Sequence, residues 1–248
     1  MKNYIKTVLL LIFLFTVTAC SSSGDSSQPL QLRKISSSNY TENLIVMFPG
    51  INSPGSDFID YGFTDLYKQY YKNSDIILAD TRFSYIKADN IAERIHADII
   101  KPSIKAGYKK IWFIGISLGG LNILKYVKKF NNHINGIILI APYLGETSSI
   151  KSLFESNSYL EWSKVHAEET DKTIQLWRYL IDYTSSHDKA KQITLALAFG
   201  KKDRFNKTHE LLAKILKEKN IYKNDGGHNW KAWKQLWEEI LQSNIIKY

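Results

Sequence analysis

Gly115-Ile116-Ser117-Leu118-Gly119 places a serine in a G-x-S-x-G run. A serine alcohol is a candidate nucleophile, but a weak one until a neighbouring base takes its proton. The chain holds six histidines. His228 is the best placed of them, because Gly226 and Gly227 precede it and let a loop bring the imidazole in close. His209 falls inside a helical segment near the candidate acid and reads as a surface residue. His96, His133, His166 and His187 come earlier, on helices, connecting loops or a long insertion. An imidazole acting as base needs a carboxylate to hold its tautomer. Asp203, in Gly200-Lys201-Lys202-Asp203 just past an apolar run, is the candidate, and Asp225 beside the glycine pair is its rival. Together these groups would carry out acyl transfer from an ester or thioester through a covalent intermediate on Ser117.

Such chemistry needs elements that present the side chains on one edge. Near-continuous apolar runs occur at Asn43–Phe48, Asp75–Ala79, Lys110–Ile114, Gly136–Ala141 and Ile193–Phe199, with a short one at Asn220–Lys223. Runs without polar alternation indicate strands covered on both faces, hence a parallel sheet. Helical spacing marks Phe63–Tyr71, Ala88–Ala106, Gly119–Phe130, Lys207–Lys219 and Trp230–Ile245. The alternation predicts an α/β fold with a doubly wound, mostly parallel sheet. Ser117 then sits on a strand-to-helix turn. Gly115 and Gly119 are needed there because side chains would collide with the neighbouring strand and helix. The N–H of Leu118 is one candidate oxyanion donor, and the N–H of Ile51, in the loop Pro49-Gly50-Ile51-Asn52, is the other. The stripe Trp230, Trp233, Trp237 and Ile240 reads as core packing.

Residues 146–192 separate two strands by more than an ordinary connection. They are amphipathic and rich in aromatics, including Phe154, Tyr159, Trp162, Trp177, Tyr179 and Tyr183, and so read as a helical insertion. At the other end, Lys2 and Lys6 precede an apolar run from Thr7 to Val17 that is too short for a permanent span. Val17-Thr18-Ala19-Cys20 resembles a bacterial lipobox, whose cysteine is lipidated on sulfur and becomes the new N-terminus. The expected organisation is a signal at 1–19, a lipidated Cys20 with a serine-rich flexible tether over 20–39, and a folded domain over 40–248. The domain would then lie outside the cytoplasm, anchored to a membrane of the bacterial cell envelope.

The 248-residue chain is 44% apolar and 23% charged, ordinary for a globular domain with a sizeable core. Its net charge of +9 comes from scattered lysines rather than an arginine-rich stripe. That argues against nucleic-acid binding and for a solvated basic surface with some attraction to anionic headgroups. Cys20 is the only cysteine, so an internal disulfide and paired-cysteine zinc sites are excluded.

The elbow Gly115–Gly119, the loop acid Asp203 and Gly226-Gly227-His228 resemble the α/β-hydrolase superfamily, its esterase- and lysophospholipase-like members in particular. The likeness runs from about Asn43 to Ile245 and includes Asp80-Thr81-Arg82 after the second apolar run. Pro49-Gly50 stands where the family often has His-Gly, and the strands that usually come first have little room. The resemblance implies the chain order serine, acid, histidine, no metal and no organic cofactor. It also implies that residues 146–192 form a cap whose aromatics line an acyl or alcohol pocket. The expected activity is cleavage of esters or thioesters of apolar acyl groups, the partner being a small-molecule or lipid ester. Two other readings stay open: a non-catalytic ligand-binding lipoprotein of the same fold, and an acyltransferase.

Overall fold

The computed structural model describes residues 26–81, 83–130, 133–186 and 193–248. The lipobox-like Cys20, and Arg82 and His187, lie outside the described residues. In chain order the elements are β1 (Gln31–Ile35), β2 (Asn43–Phe48), α1 (Asp57–Asp60), α2 (Phe63–Tyr70), β3 (Asp75–Asp80), α3 (Phe83–Lys87), α4 (Ile91–Ile95), α5 (Lys101–Lys105), β4 (Lys110–Ile116), α6 (Leu118–Lys129), β5 (Gly136–Ile140), α7 (Lys151–Phe154), α8 (Tyr159–Val165), α9 (Lys172–Ser185), β6 (Thr194–Gly200), α10 (Asn206–Ala213), β7 (Ile221–Asn224) and α11 (Trp230–Gln242).

The strands form one seven-stranded sheet in the order β1-β3-β2-β4-β5-β6-β7. β1 runs antiparallel to β3, and every other pairing is parallel. The winding reverses after β3: the chain returns past β2 to build β4 and then continues outward. The crevice between the carboxyl ends of β2 and β4 is therefore the topological switch point, where open α/β sheets bind ligands. The five central strands are almost wholly buried, as their unbroken apolar runs require.

Each face of the sheet carries a helical layer. On one side Leu44, Val46, Phe113 and Leu139 pack with residues of α4, α6, α9 and α10. On the other, Ile45, Met47, Ile114 and Ile138 pack with α2 and α11. The tryptophan stripe of α11 is core, as its spacing implied. Trp237 is fully buried, and its indole N–H donates to the Phe63 carbonyl at 3.2 Å.

Three expectations change. The folded part begins earlier than residue 40. Gln31–Ile35 pairs with Ile76–Asp80 of β3, and the chain before it is pinned by Asn90 on the Ser26 carbonyl and by Asp98 on the Leu30 N–H, both at 2.9 Å. β1 is mostly exposed. Its stability comes from backbone pairing, which leaves no apolar pattern to read.

The helix expected over Ala88–Ala106 runs without interruption from Ile91 to Lys105 but widens into a π-helical turn at His96–Ile100, between α4 and α5. Pro102 accounts for the widening, because it offers no N–H to the preceding turn. The helix expected over Lys207–Lys219 ends at Ala213.

Residues 146–192 are helical as expected where described, and two of their aromatics serve packing. Trp162 and Trp177 are buried in packing; the Trp177 indole N–H donates to the Leu144 carbonyl at 3.1 Å, and that of Trp162 to Ser152 at 2.9 Å. Among the described residues no helix is long and apolar enough to cross a membrane.

Replacing Trp237 with alanine removes a buried ring and leaves the Phe63 carbonyl without its donor. The expected loss is about 3–5 kcal/mol of unfolding free energy, measurable as a lower urea midpoint with unchanged slope.

Candidate active site at the switch point

β4 ends at Ile116 and α6 begins at Leu118, so a single residue turns the chain. That residue is Ser117, with φ +52° and ψ −113°. This is strained for a side chain with a Cβ and costs on the order of 1–3 kcal/mol. The turn is held from both sides. The Ser117 N–H donates to the Ile140 carbonyl at 3.0 Å, and its carbonyl accepts from Gly120 at 3.0 Å and Tyr143 at 2.9 Å. The flanking glycines permit the packing. A methyl group on Gly119 would overlap the Phe48 carbonyl of β2, and one on Gly115 would lie 2.6 Å from the Gly119 carbonyl.

Ser117 is nearly buried and meets His228, whose Nε2 lies 3.0 Å from the serine Oγ. His228 Nδ1 is 2.8 Å from Asp203 Oδ2. The other carboxylate oxygen, Oδ1, accepts the Phe205 N–H at 2.8 Å, a turn closed two residues on. Burial raises the Asp203 pKa, but the His228 hydrogen bond, the Phe205 N–H and the charges of His228 and His209 together outweigh it. The carboxyl is held below its usual value. It therefore stays ionised through the neutral range and holds the Nδ1–H tautomer, leaving Nε2 to accept from Ser117.

The histidine and acid loops interlock. The Lys201 N–H donates to the Asn224 carbonyl at 2.8 Å and the Lys202 N–H to the Gly226 carbonyl at 2.9 Å. Gly226 packs so tightly on α11 that a methyl group there would overlap Ala232. Asn229 then caps α11, accepting the Ala232 N–H at 3.0 Å. Asp225, the rival acid, points to solvent and pairs with Lys201 at 3.0 Å.

Leu118 opens α6, so its N–H faces outward at the helix N-terminus. Gly50 lies against the nucleophile: a methyl group on it would be 3.5 Å from the Ser117 Cβ. This brings the loop carrying Ile51 beside the serine. Among the described residues, neither the Leu118 N–H nor the Ile51 N–H donates to another protein group.

Sequence reasoning missed several neighbours. His209 is wholly buried rather than on the surface. Its Nε2–H donates to the Pro142 carbonyl at 2.8 Å, and its ring lies 5.2 Å from that of Phe199. It is helical, as expected, but on the face of α10 that packs against β6. Phe205 and Trp233 meet the His228 ring edge-on, at 5.1 and 4.9 Å between centroids. The β6–α10 loop and α11 thus give the site apolar walls. Phe205 could have been flagged only by its place two residues after the acid; nothing in the sequence singles out Trp233. Among the described residues no group of three His, Cys, Asp or Glu side chains is arranged to hold a metal ion.

No family model matches this chain, and no curated protein matches its sequence. Solved structures do match its fold. An S-formylglutathione hydrolase from Staphylococcus aureus superposes with a TM-score of 0.58 at 16% identity, over 86% of this chain and 89% of that one. A ferulic acid esterase gives 0.58 at 11% identity, over 88% and 98%. A monoacylglycerol lipase from Paleococcus ferrophilus gives 0.53 at 14%, over 88% and 100%. The fold is the α/β-hydrolase fold.

Burial lowers the His209 pKa from the usual 6.5, against the raising effects of the Pro142 carbonyl and Asp203. The neutral imidazole is therefore favoured by folding. Its contribution is fully present above about pH 6.5 and is lost as pH falls from there through the lowered folded value. His209→Leu is expected to lose roughly 1–3 kcal/mol at pH 8, because the Pro142 carbonyl loses its donor, and to show a shallower fall in stability towards pH 5. Urea unfolding at the two pH values checks this.

Proposed function

We propose that the protein is a serine hydrolase that cleaves carboxylic esters or thioesters of apolar acyl groups through an acyl-enzyme on Ser117. One observation carries the reading: Ser117 Oγ, His228 Nε2, His228 Nδ1 and Asp203 Oδ2 form one line of 3.0 and 2.8 Å contacts at the mouth of the switch point. The similar structures described as a hydrolase, an esterase and a lipase support ester hydrolysis as the class of reaction.

In this mechanism Ser117 Oγ attacks the ester carbonyl carbon while its proton passes to His228 Nε2. The tetrahedral oxygen is stabilised by the N–H groups of Leu118 and Ile51, which have no acceptor to give up among the described residues. Asp203 remains ionised and stabilises the imidazolium without taking its proton. As the carbonyl re-forms, the C–O or C–S bond breaks and His228 protonates the leaving group. A water, deprotonated by His228, then attacks the acyl-enzyme and releases the acid and free Ser117. The rings of Phe205 and Trp233 beside His228, and the exposed side chain of Ile51 at the mouth, favour an apolar acyl group.

Turnover of p-nitrophenyl esters across acyl lengths tests the reading. Ser117→Ala is expected to lower kcat by about 10⁶-fold, to background, and Asp203→Asn by about 10⁴-fold, both with folding intact. A fluorophosphonate should label the parent and not Ser117→Ala. Turnover undiminished in Ser117→Ala overturns the mechanism, and a folded parent that neither turns over nor labels favours a non-catalytic binder.

The lipobox-like Val17–Cys20 supports a second part of the proposal, that Cys20 carries a lipid anchor in a bacterial envelope and the serine-rich segment after it is the tether. In a bacterial host the parent is expected in the membrane fraction, and Cys20→Ser in the soluble fraction with its activity retained.

A further inference from the structure

A second cavity, of about 500 Å³, opens between α4, α6 and α9. It is within the size range of small-molecule sites. Neither Ser117 nor His228 lines it, but the two places share a wall. Leu121, on its floor, is one helical turn beyond Ser117. Tyr143, also in the lining, donates its N–H to the Ser117 carbonyl and meets the Phe205 ring at 5.4 Å.

The floor is apolar: Ile91 of α4, Leu121 of α6 and Leu176 of α9 are all buried. The rim is cationic. Lys125 and Lys172 share one carboxylate, Asp89, at 2.7 and 2.9 Å, and Lys129 pairs with Glu93. Lys128 has no carboxylate partner among the described residues; its Nζ donates only to the neutral amide oxygen of Gln175 at 3.2 Å. Two lysines therefore share one negative charge and another has none, directly above an apolar floor.

We propose that this cavity binds an amphipathic carboxylate, with its apolar chain against Leu121 and Leu176 and its head on Lys128. The excess of ammonium groups selects against a cationic head. The floor, which offers little to a strongly hydrated ion, selects for a ligand with a hydrocarbon body. The inference does not depend on the hydrolytic reading, because the ligand need not be turned over.

The test is calorimetric titration of the full chain carrying Ser117→Ala with octanoate, and with octyltrimethylammonium as the opposite-charge control. Octanoate is expected to bind saturably at one site and the cation not to bind. Lys128→Glu, an exposed change that folding tolerates, is expected to weaken octanoate about tenfold, as removing one rim attraction and adding a repulsion would. Leu176→Trp, which fills the floor, should abolish binding, with the urea midpoint reporting whether it folds. Absence of saturable octanoate binding, equal binding of the cation, or affinity unchanged by Lys128→Glu would each overturn the proposal.

Discussion

The left-handed turn at Ser117 is the constraint on which the site depends. A residue with a Cβ at φ +52° persists only where its surroundings leave no alternative. Here its N–H is claimed by β5 and its carbonyl by Gly120 and Tyr143. Gly119 lets α6 press against the last carbonyls of β2. Relaxing the turn would break these hydrogen bonds and part the helix from the sheet. The same closeness brings Gly50 and the Ile51 loop beside the nucleophile, because β2 and β4 are adjacent parallel strands ending at the same level.

Charge is arranged around that turn with equal economy. A buried carboxylate is costly unless its lone pairs are engaged. Asp203 engages one oxygen with His228 and the other with its own loop, at the Phe205 N–H. Phe205 therefore closes the acid's turn with its backbone and borders the histidine with its ring. The His228 loop is in turn hydrogen-bonded to the acid loop before entering α11. Strain at one end and a satisfied buried charge at the other keep a serine, an imidazole and a carboxylate in line without a long-range hinge.

The edges of the molecule follow different rules from its centre. β1 exposes most of its side chains and is held by main-chain pairing and by polar clamps from Asn90 and Asp98. Within 146–192, Trp162 and Trp177 are buried in packing, and Thr173, Gln175 and Leu176 of α9 line the second cavity. Tyr143 is the common element: its backbone supports the nucleophile's turn, and the residue also lines the neighbouring cavity.

Much of this was legible in the chain alone. Apolar runs of strand length located six of the seven strands, five of them because a strand buried on both faces must be apolar throughout. Local rules also singled out Ser117, Asp203 and His228, since a tight elbow needs its glycines and loop residues after strands are free to converge. Other features had no local signature. Backbone pairing makes β1 a strand whatever its side chains, and Pro102 puts a π-helical turn inside one expected helix. His209 occupies the same helix on either reading; only the packing of α10 against β6 decides that its imidazole is buried. Trp233 likewise reads as core from spacing, and its contact with His228 arises from the angle at which the Gly226-Gly227 loop delivers the histidine. Periodicity and turn chemistry are properties of neighbours in sequence, so the sequence determined the elements and the candidate groups. Which side chains wall the site, and which helix face is inside, depend on distances between elements far apart in the chain, and only the tertiary structure decided them.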